Sequence, residues 1–373
     1  MFLRCLKLAG IRNLATQTVE PGAGVNLLVG ANGAGKTSLL EAIFLLARGR
    51  SFRAQVLDTV VSRGATSCSV YGELVIDGPG DTEVIRRLGV SRETGGGFCY
   101  RLDGATVNAA STLADTLPLL LINSDSLGLL GGSPKTRRHF LDWGLFHTLP
   151  ETRQLWRQHL RAHQQRNALL RRGIGVDRRE LDLWDRKFAE TGELITMMRC
   201  GYAGEIAPVA ARFTEALSPS LGNLELGFQA GWDRDQSLAD ALKLHRDRDI
   251  ILRATQSGPH RADLKIRLNG RLATESLSRG QSKVLALALL LAQGAHFLQR
   301  RGCPCLNLID DLPAELDQRH RRRVAQLMAE IGGQSFVTGT DVAQMGADWM
   351  DVSAAPAVKM FHVEQGRFIE SLP

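Results

Sequence analysis

The chain has 373 residues, with 46 Lys and Arg against 39 Asp and Glu, for a formal charge of +7. At 44% hydrophobic and 23% charged residues it has the make-up of a folded globular protein, which excludes disordered and collagen-like chains. Of the basic residues 38 are Arg and 8 are Lys, a balance that suits bidentate contacts to phosphate or reflects codon usage. The apolar run Val284 to Ala292 is well short of the roughly 20 residues that span a bilayer. Met1 to Leu6 carries no secretory pattern. The six Cys are scattered, with no Cys-x-x-Cys pair. They read as reduced thiols of a cytoplasmic protein that binds no zinc.

In chain order, Val25–Val29 is a short buried-strand pattern ending at Gly30. From Thr37 the residues Leu39, Leu40, Ile43, Leu46 and Ala47 follow helical spacing. Turn residues at 78–81 and 95–97 predict a small antiparallel sheet over roughly residues 65–110. Leu119–Ile122 reads as another buried strand. Ser133-Pro134 is an N-cap with proline at the first helical position. From there to about 217 the pattern is helical and Arg-rich. Leu181, Trp184, Phe188, Thr191, Ile195 and Met198 form a heptad-like stripe, continued by Tyr202, Ile206, Val209, Phe213 and Leu217. Such a stripe is more often the core of a helical hairpin than an intermolecular coiled coil. Pro208 is expected to kink or end its helix.

Asp263–Leu268 alternates like a strand and closes on Asn269-Gly270, a hairpin signal. A helix over about 281–299, a strand Leu306–Ile309, a basic helix from Gln318 and a strand from Ser335 to Thr338 follow. Strand–helix alternation at both ends implies an α/β domain split in sequence. Residues 1–125 and 264–373 are expected to form its halves, around a helical, Arg-rich arm domain at 126–263.

Gly30-Ala31-Asn32-Gly33-Ala34-Gly35-Lys36-Thr37 fits G-x-x-x-x-G-K-[ST] in full, between a strand and a helix. The glycines let successive N–H groups face phosphate oxygens, and the helix dipole adds to them. Lys36 is expected to reach the β and γ phosphates, and Thr37 to ligate Mg²⁺. No guanine-reading Asn-Lys-x-Asp is present, so ATP is the expected nucleotide. The strand Leu306–Ile309 delivers Asp310 and Asp311 at its carboxyl end, opposite the phosphates. Asp310 is expected to hold Mg²⁺ through a water, and Asp311 to orient or polarise the attacking water. Ser278, Gly280 and Gln281 stand at a helix start and make a second anion site. One site already holds the triphosphate, so this one is expected to meet a nucleotide bound by another copy.

The order of P-loop, Leu-Ser-x-Gly-Gln signature, Asp-Asp strand and Glu315-Leu316-Asp317 resembles the ATP-binding-cassette heads of the SMC and Rad50 class, and most closely the RecF family. Further carriers are Ile11-Arg12-Asn13, Gly49-Arg50-Ser51-Phe52-Arg53, Gly132-Ser133-Pro134-Lys135, Phe140-Leu141-Asp142-Trp143 and Gly258-Pro259-His260-Arg261. The resemblance implies an α/β cassette head that binds ATP, Mg²⁺ and single- and double-stranded DNA and dimerises with ATP. It also implies slow hydrolysis and action with RecO and RecR in loading RecA at gaps. Leu120 stands where a Q-loop Gln is usual, Ala314 where a Ser is usual, and Thr338 near the place of a switch His. Thr338 can hydrogen-bond the γ-phosphate but cannot serve as a general base. These departures, with Asp311 in place of a longer Glu, point to a weak ATPase. A non-hydrolysing nucleotide-gated DNA-binding module and a transporter subunit are the alternatives.

Residues 153–187 hold nine Arg and Lys187 against four acidic residues. Arg153, Arg157 and Arg161 share a helical face. Arg319, Arg321, Arg322 and Arg323 form a second cluster. No aromatics interleave with them for base stacking, so backbone binding that is sequence-independent and salt-sensitive is expected. His260 after Gly-Pro reads as a turn or packing residue.

Overall fold

The computed structural model describes all residues except 55, 79, 81, 312–315, 351–356 and 372–373. The chain divides into two compact units. The first comprises Met1–Leu127, Ala216–Ser218 and Lys283–Pro373, and the second Gly128–Glu215 and Pro219–Ser282. Residues 264–282, with the signature, thus fall in the second unit.

The first unit is built on two sheets. One is six-stranded, in the order Arg367–Ser371, Val358–Glu364, Val25–Val29, Ser335–Gly339, Leu306–Ile309, Leu119–Ile122. All neighbours are parallel except the terminal hairpin. All residues of Val25–Val29, Leu306–Ile309 and Ser335–Gly339 are buried, as strands covered on both faces must be. The other sheet is antiparallel: the sheet expected over roughly 65–110 has strands at 67–77, 83–93, 98–102 and 105–107, and it joins the N-terminal strands Phe2–Ala9 and Gln17–Val19. The helix Lys36–Arg48 contributes most of its residues to a core that takes side chains from both sheets. Gln334, fully buried, ties the two sheets by bonding both backbone groups of Leu3.

The second unit is helical, with a three-stranded sheet in the order Arg271–Leu272, Asp263–Leu268, Leu224–Gln229. The expected Asn269-Gly270 turn is present with both residues at positive φ, 49° and 77°, the geometry of a type I′ hairpin. The helix Pro134–Thr148 starts at Ser133 with Pro at its first position. The stripe helix runs Arg178–Leu217, 40 residues, about 60 Å at 1.5 Å per residue. It continues through Pro208, contrary to the expected kink or end. Pro208 is exposed, and buried Ile206, Ala210, Phe213 and Leu217 anchor the helix on both sides of it. Leu181, Phe188 and Ile195 are buried within the chain, so the stripe is core. The signature helix runs Arg279–Arg301 rather than 281–299, and Val284 through Phe297 are all buried.

Candidate functional site

Sheet register assembles the site. Val25–Val29 and Leu306–Ile309 both pair with Ser335–Gly339, so Gly30 and Asp310 leave the sheet at one end, flanking Thr338. Gly35 closes the loop at φ 119°, a backbone conformation that side chains resist. A Cβ on Gly30 would lie 2.2 Å from the Val363 carbonyl oxygen, so the loop start admits no larger residue.

The Lys36 Nζ donates to the Gly30 and Ala31 carbonyls at 2.6 and 2.9 Å. An ammonium has three donors, so one remains for a phosphate. Burial pulls the Lys36 pKa down, opposed by Asp311 and Asp310. Thr37 Oγ1 donates to Asp310 Oδ1 at 2.9 Å, and Thr338 Oγ1 donates to the same oxygen at 2.9 Å. Burial pushes Asp310 above the usual carboxylate range, against the hydrogen bonds from the two threonines. Asp311 is exposed, at φ 56°, and its N–H donates to Thr338 Oγ1 at 2.8 Å. The Thr338 hydroxyl is thus committed as donor and acceptor to the Asp-Asp pair. That leaves it a poorer partner for the γ-phosphate than the sequence suggests.

Thr37 and Asp310 fit Mg²⁺. Adjacent oxygen ligands of an octahedral Mg²⁺ at 2.0–2.1 Å lie about 2.9 Å apart, which is the observed Thr37–Asp310 separation of 2.9 Å. A desolvated carboxylate and a hydroxyl are also the hard donors that this ion takes.

These groups line a cavity of about 890 Å³ with Asn32, Gly33 and Gly35. Sequence reasoning assigned no role to Arg12, Asn13, Arg53, Arg63 and Ser124, which also line it. Arg12 forms a bidentate pair with fully buried Glu41, at 2.9 Å for each bond. Glu41 also accepts from Ser51 and lies 3.8 Å from Arg53. Asn13 ties the loop to its helix, donating to the Gly33 carbonyl at 2.8 Å and accepting from Ser38 at 2.8 Å. The signal for Arg12, Asn13 and Arg53 lay in the stretches around 11–13 and 49–53, which carry the family resemblance without revealing where they meet; Arg63 and Ser124 had none.

Leu120 corrects an expectation. Its side chain is buried in the strand Leu119–Ile122, beside Gly294, and it does not line the cavity. On that segment Ser124 does. Ala314 and Glu315 lie outside the described residues.

At the signature, Ser278 N–H donates to Gln281 Oε1 at 3.0 Å and Gln281 N–H to Ser278 Oγ at 3.3 Å. This reciprocal pair is a capping box. It organises the helix start and leaves the Ser278 hydroxyl proton free to donate.

The Arg clusters are only partly surface. Arg166 is fully buried against Asp185 and Asp249. Arg321 is buried on Asp348, and Arg323 Nη1 donates to the Leu217 carbonyl at 2.6 Å. Arg153 packs over Phe146 at 4.9 Å. Arg157, Arg161, Arg171, Arg172, Arg178, Arg179, Arg186 and Lys187 are exposed.

A P-loop beside an Asp-ending strand in a parallel sheet, with an antiparallel sheet on the same core, defines an ATP-binding-cassette head of the SMC type. A family model described as the RecF/RecN/SMC N-terminal domain matches residues 2–366. The chain belongs to this family, in its RecF branch. It is 41% identical over 371 residues to the DNA replication and repair protein RecF of Pseudomonas putida strain GB-1, covering 100% of this chain and 99% of that one. It is 42% identical to the RecF of Pseudomonas aeruginosa strain LESB58, covering 98% and 97%. Among solved structures, the recombination mediator protein RecF with ATP, of the RecFOR pathway, superposes with a TM-score of 0.86 at 25% identity, covering 100% and 98%. The Smc head domain from Pyrococcus furiosus shares the fold, with a TM-score of 0.59 at 17% identity, covering 99% and 96%.

Proposed function

We propose that this protein is an ATP-gated DNA-binding dimer of recombinational repair and replication-fork maintenance. The supporting observation is the Lys36, Thr37, Asp310 and Thr338 arrangement on one wall of a single cavity of about 890 Å³. ATP binds with its phosphates in the loop Gly30–Thr37, on the amides of Ala31, Asn32, Gly33, Ala34 and Gly35. Thr37 and Asp310 hold Mg²⁺, which supplies charge neutralisation at the β and γ phosphates. Lys36 adds a cation to the same oxygens, and Asp311 orients water. Ser278, Gly280 and Gln281 meet the γ-phosphate bound by a second copy, so ATP joins two chains. The capping box supports this role, because it presents the Ser278 hydroxyl without reorganisation.

Asp311 is one methylene shorter than a Glu and its backbone is pinned to Thr338, which supports slow hydrolysis. DNA, single- or double-stranded, binds through phosphates along the exposed Arg and Lys of 157–187. The pathway named for the ATP-bound RecF structure supports RecO and RecR as partners in loading recombinase at gaps.

The test is light scattering with ATP, with ADP and without nucleotide, on the wild type and Asp311→Asn. A dimer with ATP alone is expected. A monomer in all three states for both proteins refutes the trans signature. Single-turnover hydrolysis is expected below about one per second, a barrier above roughly 17 kcal/mol. DNA affinity is expected to fall steeply between 50 and 200 mM salt, and salt-insensitive binding contradicts the backbone reading.

A further inference from the structure

Two of the stretches that carry the family resemblance, Gly132–Lys135 and Gly258–Arg261, take no part in the nucleotide site. In the second unit they line one cavity of about 570 Å³. Its walls bring together Lys135, Arg138 and Arg261, with His163, Asn167 and His260, and none of its lining residues is acidic. Lys135 is exposed and has no hydrogen-bond or ion-pair partner among the described residues. Arg138 donates once, to the Ala262 carbonyl at 2.7 Å. Burial and then the nearby Arg199 guanidinium pull its pKa down, against Asp142 and Asp263, which are themselves taken up by Arg199 and Arg137. Arg261 donates once, to Gln256 Oε1 at 2.8 Å, and is exposed.

The floor is fixed. His260 Nε2 donates to the Thr255 carbonyl at 3.0 Å and its ring stacks on His163 at 4.5 Å. Asn167 Oδ1 accepts from both the Thr255 N–H and its hydroxyl, at 2.9 and 2.8 Å. Burial holds His260 at about 4 and lowers His163 as well, so at neutral pH the charge of the lining is carried by its two guanidinium groups and one ammonium. Three cations line the cavity and no carboxylate does, so the opening favours an anion. Two planar forks and a point charge also match the oxygens of a phosphate.

We propose that this cavity is a second phosphate site, with Lys135, Arg138 and Arg261 as its ligands. The phosphate is that of a nucleic-acid backbone or a free phosphate, and the two sources are separated by experiment. The nucleic-acid arm rests on the DNA-binding function proposed above.

The test uses the full chain and the double variant Lys135→Gln/Arg261→Gln, whose two side chains are exposed. Arg138 is left in place because it supports the Ala262 loop. Unchanged melting temperature checks that the variant folds. Inorganic phosphate is titrated at constant ionic strength while the imidazole resonances of His260 and His163 are followed, which reads this cavity and not the P-loop. A saturable shift, weakened at least tenfold in the variant, supports the site. No saturable shift, or the same shift in the variant, overturns it.

The second arm measures binding of a labelled duplex by anisotropy over a salt series. Loss of one phosphate contact flattens the logarithmic salt slope by about 0.9, which at 0.1 M salt is about an eightfold loss of affinity. That result assigns the site to DNA. An unchanged slope with phosphate binding lost assigns it to free phosphate. If the wild type binds no DNA, the function proposed above fails, and the imidazole titration still decides this site.

Discussion

Arg166 offers the sharpest test of which arginines face solvent. It is fully buried on the helix Thr152–Leu170. Its Nε donates to Asp185 at 2.6 Å, and its Nη1 reaches Asp249 at 2.8 Å and Thr255 at 2.7 Å. Asp185 has a second cation, Arg246, at 2.8 Å, whereas Asp249 has Arg166 alone among the described residues. Asp249 is fully buried, and burial already pushes its pKa up against the pull of Arg166. Arg166→Met keeps most of the stem and removes the charge, leaving Asp249 buried without a cation. Breaking a buried pair in this way costs about 3–5 kcal/mol. In a unit of roughly 150 residues each kcal/mol lowers the melting temperature by about 2–4 °C. The expected fall is therefore about 6–20 °C by calorimetry. The double variant Arg166→Met/Asp249→Leu, which replaces both charges, should recover most of it. A single-variant loss below about 3 °C, or no recovery in the double, refutes the reasoning. It would return Arg166 to the surface charge available to DNA.

The nucleotide site makes separable predictions. Thr37→Ala and Asp310→Asn each lose one expected Mg²⁺ ligand, so both should weaken ATP binding with Mg²⁺ and leave Mg²⁺-free binding little changed; equal loss with and without the metal contradicts the assignment. Asp311→Asn should bind ATP normally and lower the hydrolysis rate by about 10²-fold, within the range for a lost general base, with the ATP dimer persisting longer in light scattering. His159 at about 3 and His260 at about 4 are lowered mainly by burial. The unfolded chain therefore takes up protons below about pH 6.5 that the folded chain refuses, and stability falls as pH drops from about 6.5 toward 4. Urea midpoints over pH 7 to 4.5 should show this fall, reduced in His159→Phe; a flat profile contradicts it.

Local chemistry made much of the fold and site readable. The P-loop, the strand before it and the Asn269-Gly270 turn depend on neighbours in sequence, and all stand where spacing put them. Residues that act through distant partners were not readable in the same way. Arg12 and Arg53 meet at Glu41 only after the chain has folded over the helix Lys36–Arg48. Arg166 looked like one of many surface charges, because nothing in 153–187 shows that Asp249 lies against it. Leu120 was judged by the residue type at its place and not by the direction of its side chain. Alternation along a four-residue strand is too short to show which face looks into the cavity.

The parallel sheet also bears on how the chain is made. Among the described residues, strand Val25–Val29 pairs only with Ser335–Gly339 and Val358–Glu364, so it leaves the ribosome about 300 residues before its first neighbour. At roughly 5–20 residues per second that interval is about 15–60 s. The second unit, whose residues 128–282 are almost continuous in sequence, is complete before the nucleotide site has all its strands. Through that interval five apolar-rich residues with unmet backbone groups wait beside the P-loop, an opening for chaperones or for aggregation. The cassette closes last, when its C-terminal strands arrive.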